Sequence, residues 1–282
     1  MQPIYEFGGA GPILHVAVAN GFPPEVYKPL IWPMTGQFCV VSLPPRALWP
    51  DETPPEKLAS WRDTVAVDLL QGIRDYNLQD VVAVGHSFGA IATILAAVAQ
   101  PHRFKALILL DPTILTQTTL WIYNLNARLG SYGKNPLAER AGKRRDRFES
   151  TEAAYENFKP KRLFADWPDE TVRLYAEAMR PAPDGEGVML AWPRAWEAYY
   201  FNTLYTGIWR DLPKLRGRMP ILLIRGATSD TFSAASAARL KRVLPEITYV
   251  EVPGHGHLFP QSAPNETRKL IQDFIGRLPK QE

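Results

Sequence analysis

The stretch VVAVGHSFGAIA, residues 81–92, decides how this chain is read. An apolar run from Val81 to Val84 meets Gly85, His86, Ser87, Phe88 and Gly89, and a small-residue helical pattern follows. A strand, a tight turn and a helix in that order hold the serine in a strained conformation. The residues two positions to either side must then be small, and Gly85 and Gly89 are. The start of the helix also aims free N–H groups and the positive end of its dipole at the serine oxygen. Gly-x-Ser-x-Gly recurs by chance, and a serine at a helix start is also an ordinary cap. The rest of the chain has to decide between a nucleophile and a cap.

Working outward, short apolar runs alternate with helical patterns, the signature of a parallel sheet with crossover helices. The strands are expected at 13–19, 38–43, 81–85, 106–111, 221–226 and 248–252, with a further short one at 4–7. Their residues are aliphatic or β-branched on both faces, as for strands covered on both sides. Residues 56–76 place Leu58, Trp61, Val65, Leu69, Ile73 and Tyr76 at helical spacing. Further helices are expected at 88–99, 234–244 and 264–278. The fold class is therefore α/β, a mostly parallel, doubly wound sheet.

The alternation stops between about 113 and 212. That stretch shows no convincing strand and is crowded with aromatics, among them Tyr132, Tyr175, Trp192 and Trp196. It reads as a helical cap inserted into one core made of residues 1–112 and 213–282. It also carries a basic run, KRRDR at 143–147, whose simplest reading is a solvated helix face.

Composition narrows the class. The chain has 282 residues, 46% of them hydrophobic and 22% charged, and a net charge of only +3, which argues against a nucleic-acid partner. No apolar run approaches the ~18 residues of a membrane span, so no integral membrane segment is expected. The opening MQPIYEFGGAG lacks a basic-then-apolar leader pattern, so a cytoplasmic location is the expectation. The single cysteine, Cys39, lies in an apolar run and reads as a buried thiol. The sequence shows no metal-ligand spacing and no need for a cofactor.

A serine hydroxyl needs a base beside it. Of five histidines, His86 lies inside the turn, His15 in an apolar strand and His102 just after a helix. His255 and His257 remain, in the loop VPGHGHLFP after the last strand. Carboxylates stand after two strands, Asp111 in LLDP and Asp230 in RGATSD.

GHSFG, a carboxylate after ILLIRG and PGHGH after the last strand together resemble the α/β-hydrolase fold family, whose triad runs Ser, Asp, His along the chain. The resemblance spans most of residues 13–278, the cap least. It implies Ser87 as nucleophile, His257 as base and Asp230 as the acid that orients the imidazole, with Asp111 as the rival acid. It also implies an oxyanion hole made by the backbone N–H groups of Phe88 and Phe22. Two departures stand out. Asn20 replaces the histidine usual in the loop after the first long strand, leaving that loop without its familiar side-chain scaffold. SLPPRALWP at 42–50 replaces another family loop.

The expected activity is that of a serine hydrolase, carboxylesterase-like, acting through an acyl-enzyme on a small apolar or aromatic substrate. Trp192 and Trp196 are the candidate pocket residues. Thioester hydrolysis, carbon–carbon bond hydrolysis and perhydrolysis share the same triad and stay open. Dehalogenase and epoxide hydrolase chemistry is disfavoured, since those relatives carry a carboxylate where this chain has Ser87. From another class, a small-molecule receptor that keeps the triad remains the alternative.

Overall fold

The computed structural model describes residues 2–57, 59–126 and 135–279. Ten strands are present among them. In chain order they are β1 (Tyr5–Gly8), β2 (Ile13–Ala17), β3 (Cys39–Ser42), β4 (Val81–His86), β5 (Phe104–Leu110), β6 (Arg147–Phe148), β7 (Arg180–Pro181), β8 (Val188–Met189), β9 (Ile221–Gly226) and β10 (Thr248–Val252). Seven of them form one sheet in the order β1-β3-β2-β4-β5-β9-β10. Only β1 runs antiparallel to its neighbour, and every other pairing is parallel. The mostly parallel sheet read from the sequence is thus present, with each expected strand in its place.

The helices are α1 (Lys28–Ile31), α2 (Val67–Asp75), α3 (Phe88–Ala99), α4 (Gln117–Asn126), α5 (Pro136–Gly142), α6 (Thr151–Phe158), α7 (Asp169–Glu177), α8 (Arg194–Asn202), α9 (Ile208–Asp211), α10 (Ala234–Val243), α11 (Phe259–Ser262) and α12 (Pro264–Ile275). The first ten residues of α3, Phe88–Ala97, are buried, because it packs on β2, β4 and β5 in the middle of the sheet. This explains its run of alanines: small side chains let the helix backbone approach the strands.

Two local expectations need correction. The helix expected over 56–76 starts later, with one wide turn at Arg62–Ala66 leading into α2. The preceding residues are drawn elsewhere. The Ala59 N–H donates to the Tyr199 hydroxyl at 3.1 Å and Trp61 Nε1 donates to Thr203 Oγ1 at 3.0 Å. Leu58, and Tyr132 in the insertion, lie outside the described residues. The insertion between β5 and β9 also holds a small antiparallel sheet, β6-β8-β7, besides its helices. Strands of two residues are too short to leave a period in the sequence.

That insertion rests on the loops at the carboxyl ends of β2 and β3. Asn20 Nδ2 donates to the Glu197 carbonyl, Trp196 Nε1 to the Glu52 carbonyl and Arg180 Nη2 to the Leu48 carbonyl. In a parallel α/β sheet this end of the strands is where ligands bind. No helix among the described residues is long and apolar enough to cross a membrane.

Candidate active site

Ser87 follows β4 directly and has φ 55° and ψ −115°, a left-handed conformation that costs a non-glycine residue about 1–3 kcal/mol. The neighbouring glycines explain how the turn closes. A Cβ added at Gly89 would lie 2.2 Å from the Ala17 carbonyl oxygen, and one at Gly85 would lie 2.6 Å from Ala90 Cα. The strained turn therefore packs tightly between α3 and the end of β2.

The turn brings Ser87 Oγ to 2.8 Å from His257 Nε2. On the other side of the ring, His257 Nδ1 lies 2.6 Å from Asp111 Oδ2. A carboxylate can only accept, so Nδ1 carries the proton and Nε2 is left to accept from the Ser87 hydroxyl. Asp111 is fully buried, and its backbone has φ 41° just past the end of β5. Its carboxylate also accepts from the Gly226 N–H at 2.9 Å and from Ser229 Oγ at 2.5 Å. Three donors on a buried carboxylate hold it rigidly beneath the imidazole.

The structure places Asp111, and not the expected Asp230, beside the imidazole. Asp230 is exposed and its Oδ1 accepts only from the Thr231 hydroxyl, at 3.2 Å. The loop after β9 does reach the site, but through Ser229, which turns inward toward Asp111. Of the two loop histidines, His255 faces α11, with Nδ1 2.8 Å from Ser262 Oγ, and His257 faces Ser87.

His86 supports the site from below. Its Nε2 lies 3.0 Å from the His257 carbonyl and its Nδ1 lies 2.8 Å from the Tyr27 hydroxyl, which accepts from the Ala19 N–H at 2.9 Å. The carbonyl can only accept, so Nε2–H donates to it and Nδ1 accepts from Tyr27. Burial and the neighbouring His257 hold the His86 pKa well below the usual histidine value, so it stays neutral in this role.

Thr113 is a contact that sequence reasoning missed. Its hydroxyl lies 3.0 Å from Ser87 Oγ, and its N–H donates to the Ser87 carbonyl at 3.3 Å. The Ser87 N–H in turn donates to the Leu110 carbonyl at 3.0 Å. The end of β5 and the short segment after it thus hold the serine at its N–H, its carbonyl and its side chain. The tripeptide DPT is the one local signal that could have pointed there.

Of the two residues expected to form the oxyanion hole, Phe88 directly follows Ser87 and Phe22 lies in the loop after β2. Phe88 opens α3, so its N–H has no acceptor within the helix. The Phe22 N–H closes a turn on the Ala19 carbonyl at 3.2 Å, and an oxyanion would share that donor. Aromatic rings wall both residues. The Phe88 ring packs edge-on against Trp61 at 4.8 Å and lies 4.6 Å from Tyr200, while Phe22 meets Trp167 at 5.8 Å and Tyr175 at 5.9 Å. Trp192 reaches the Phe88 ring at 6.5 Å, and its buried indole N–H has no partner. Trp196 sits one layer further back, stacked on Tyr200 at 5.3 Å.

Asp111 is buried beneath the site, while the His257 side chain is 19% exposed. Ser87 is 7% exposed. Two open clefts of about 680 Å³ each are lined by other residues, one including Tyr123, Tyr205 and Arg239, the other Trp32, Leu174 and Arg268. Of the departing 42–50 segment, Leu43, Pro44 and Pro45 line a cavity of about 20 Å³ beside Phe88 and Gly89. Among the described residues no cluster of three or more His, Cys, Asp or Glu side chains could hold a metal ion.

Residues 14–270 match the family described as the alpha/beta hydrolase family. The chain belongs to it. It is a hydrolase of the alpha/beta fold, similar over 272 residues to a 2-(acetamidomethylene)succinate hydrolase of Mesorhizobium japonicum, with 26% identity covering 95% of this chain and 89% of that one. The crystal structure of an E-2-(acetamidomethylene)succinate hydrolase superposes with a TM-score of 0.74 at 25% identity, covering 97% of this chain and 94% of that one. A thioesterase domain from the curacin biosynthetic pathway shares the alpha/beta hydrolase fold with a TM-score of 0.69 at 17% identity, covering 95% and 94%.

Proposed function

We propose that this alpha/beta hydrolase is a serine hydrolase that cleaves an ester or related acyl bond of a small substrate with an apolar or aromatic group. The observation that carries the reading is the unbroken line Ser87 Oγ, His257 Nε2, His257 Nδ1, Asp111 Oδ2, with separations of 2.8 Å and 2.6 Å.

The chemistry follows from the donors and acceptors. As Ser87 Oγ bonds to the acyl carbon, its proton passes to His257 Nε2, and Asp111 stabilises the imidazolium. The carbonyl oxygen gains negative charge and is met by the N–H groups of Phe88 and Phe22. His257 returns the proton to the leaving alcohol as the acyl–oxygen bond breaks. Water then gives a proton to His257 and its oxygen to the acyl carbon, and the acid departs as Ser87 regains its proton. The residues 113–212 serve as a cap whose aromatic walls suit an apolar acyl group.

A second reading, hydrolysis of an N-acyl bond, draws on the Mesorhizobium relative, whose name describes an acetamido-bearing dicarboxylic acid as its substrate. It uses the same residues with an amine as leaving group. The test is labelling of wild type and Ser87→Ala with a fluorophosphonate, alongside aryl esters of increasing acyl length and the matching anilides. Labelling and turnover in wild type alone support the proposal. Equal labelling of the variant, or a wild type inert to the probe and to the whole panel, rejects it in favour of a binding protein.

A further inference from the structure

The loop that supplies Phe22 lacks the family's histidine, and its scaffold has to come from somewhere. Three segments of the insertion converge on it. Tyr175, on α7, directs its hydroxyl at the Gly21 carbonyl at 3.3 Å. Arg144 Nη2 donates to that same hydroxyl at 2.6 Å, while Nη1 meets the Glu197 carboxylate. The Glu197 carbonyl accepts from Asn20 Nδ2 at 3.1 Å, and a Cβ added at Gly21 would lie 3.1 Å from the Glu197 carboxylate. The loop backbone therefore lies flush against the insertion, which explains a glycine with φ 87° at this position.

Arg144 belongs to the basic run at 143–147, expected as a solvated face. Lys143 pairs with Glu139 and Arg147 with Asp184 at the surface, as that reading requires. Arg144 instead turns inward, with its side chain 23% exposed and that of its partner Glu197 13% exposed.

The direction of the hydrogen bonds follows from the groups. A guanidinium offers only donors, so the Tyr175 oxygen accepts from Arg144 and its own proton goes to the Gly21 carbonyl. Burial raises the Tyr175 phenol pKa above its ordinary value, which keeps that proton in place. The Gly21 carbonyl and the Phe22 N–H belong to one planar peptide and point in opposite directions. Anchoring the carbonyl sets the plane, and with it the aim of the N–H.

We infer that Tyr175 is a positioning residue for the oxyanion hole, orienting the Phe22 N–H through the Gly21–Phe22 peptide, with Arg144 holding the Tyr175 hydroxyl in turn. This deepens the proposed serine-hydrolase reading and rests on it. The insertion is then part of the oxyanion hole's framework as well as a cover.

Tyr175→Phe removes one hydroxyl and keeps the ring that packs on Phe22. The measurement is inactivation by an alkyl fluorophosphonate, resolved into the maximal rate and the half-saturating concentration, with thermal melting beside it. The maximal rate is expected to fall about tenfold, short of the 10²–10³ for outright loss of an oxyanion donor, with half-saturation and melting within error of wild type. Arg144→Met should fall in the same way and Arg144→Lys should recover part of it. A Tyr175→Phe rate within twofold of wild type, or a loss matched by the drop in melting, overturns the inference. Wild type that labels at a residue other than Ser87 overturns the underlying reading instead, and the two failures are distinct.

Discussion

The Asp111 carboxylate lies 2.6 Å from His257 Nδ1, although 146 residues separate the two in the chain. Asp111 directly follows β5, the neighbour of the strand that leads into Ser87, and it also accepts from the Gly226 N–H at the end of β9 and from Ser229 Oγ in the loop beyond. Asp111→Asn leaves an amide that can present its N–H₂ to the imidazole and favour the wrong tautomer. Turnover of an aryl ester by Asp111→Asn should drop about ten-thousand-fold. Asp230→Asn should stay within twofold, since its side chain points to solvent. Comparing kcat for the two variants checks the assignment, and the opposite ranking would restore Asp230.

Thr113 touches Ser87 directly, its hydroxyl 3.0 Å from Ser87 Oγ. Because the Ser87 proton faces His257, the Thr113 hydroxyl donates to Oγ and holds it in the attacking rotamer. Thr113→Val keeps the shape and removes that donor, so kcat is expected to fall about tenfold, the effect of about 1.4 kcal/mol. Thr113→Ser should stay close to wild type. Steady-state kinetics on an aryl ester, with melting curves to show that the fold is intact, provide the check.

His15 gives the fold a pH dependence. It is fully buried, its Nε2 accepts from the Leu43 N–H at 3.1 Å, and burial alone lowers its pKa to about 3. Unfolded, it titrates near 6.5. Between about pH 6.5 and 3 the unfolded chain therefore binds a proton that the native chain refuses, and stability falls as pH falls. The slope is at most about 1.4 kcal/mol per pH unit for one such histidine. His86, with its pKa lowered in the same direction, adds to it. Melting temperatures from pH 7.5 to 4.5 should fall steadily in wild type and less steeply in His15→Gln. Equal slopes for the two proteins would remove His15 from the account.

The elbow was legible because its grammar is local: a strand, two small residues and a helix lie within a dozen positions, and steric exclusion leaves few alternatives. The strands were legible for the same reason. The acid was not, because Asp111 and Asp230 each follow a strand that ends beside the histidine loop. What separates them is a φ of 41° at Asp111 and the inward turn of Ser229, neither of which has a sequence signature. Arg144 was hidden differently. Its neighbours in the basic run do face solvent, and only the arrival of Glu197 and Tyr175 from distant segments distinguishes it from them.

The placement of Asp111 also bears on the order in which the site is assembled. Ser87 and Asp111 follow paired strands, β4 and β5, joined by the single helix α3 and a short turn. Contacts close in the chain cost little loop-closure entropy and form early. His257 must come from 170 residues beyond Ser87, across the whole insertion. The Asp111 carboxylate in turn takes its further hydrogen bonds from Gly226 and Ser229, so its setting is complete only once β9 has paired with β5. Under the proposed reading, hydrolytic competence waits on the loop after β10 and so reports that the carboxyl-terminal third has docked.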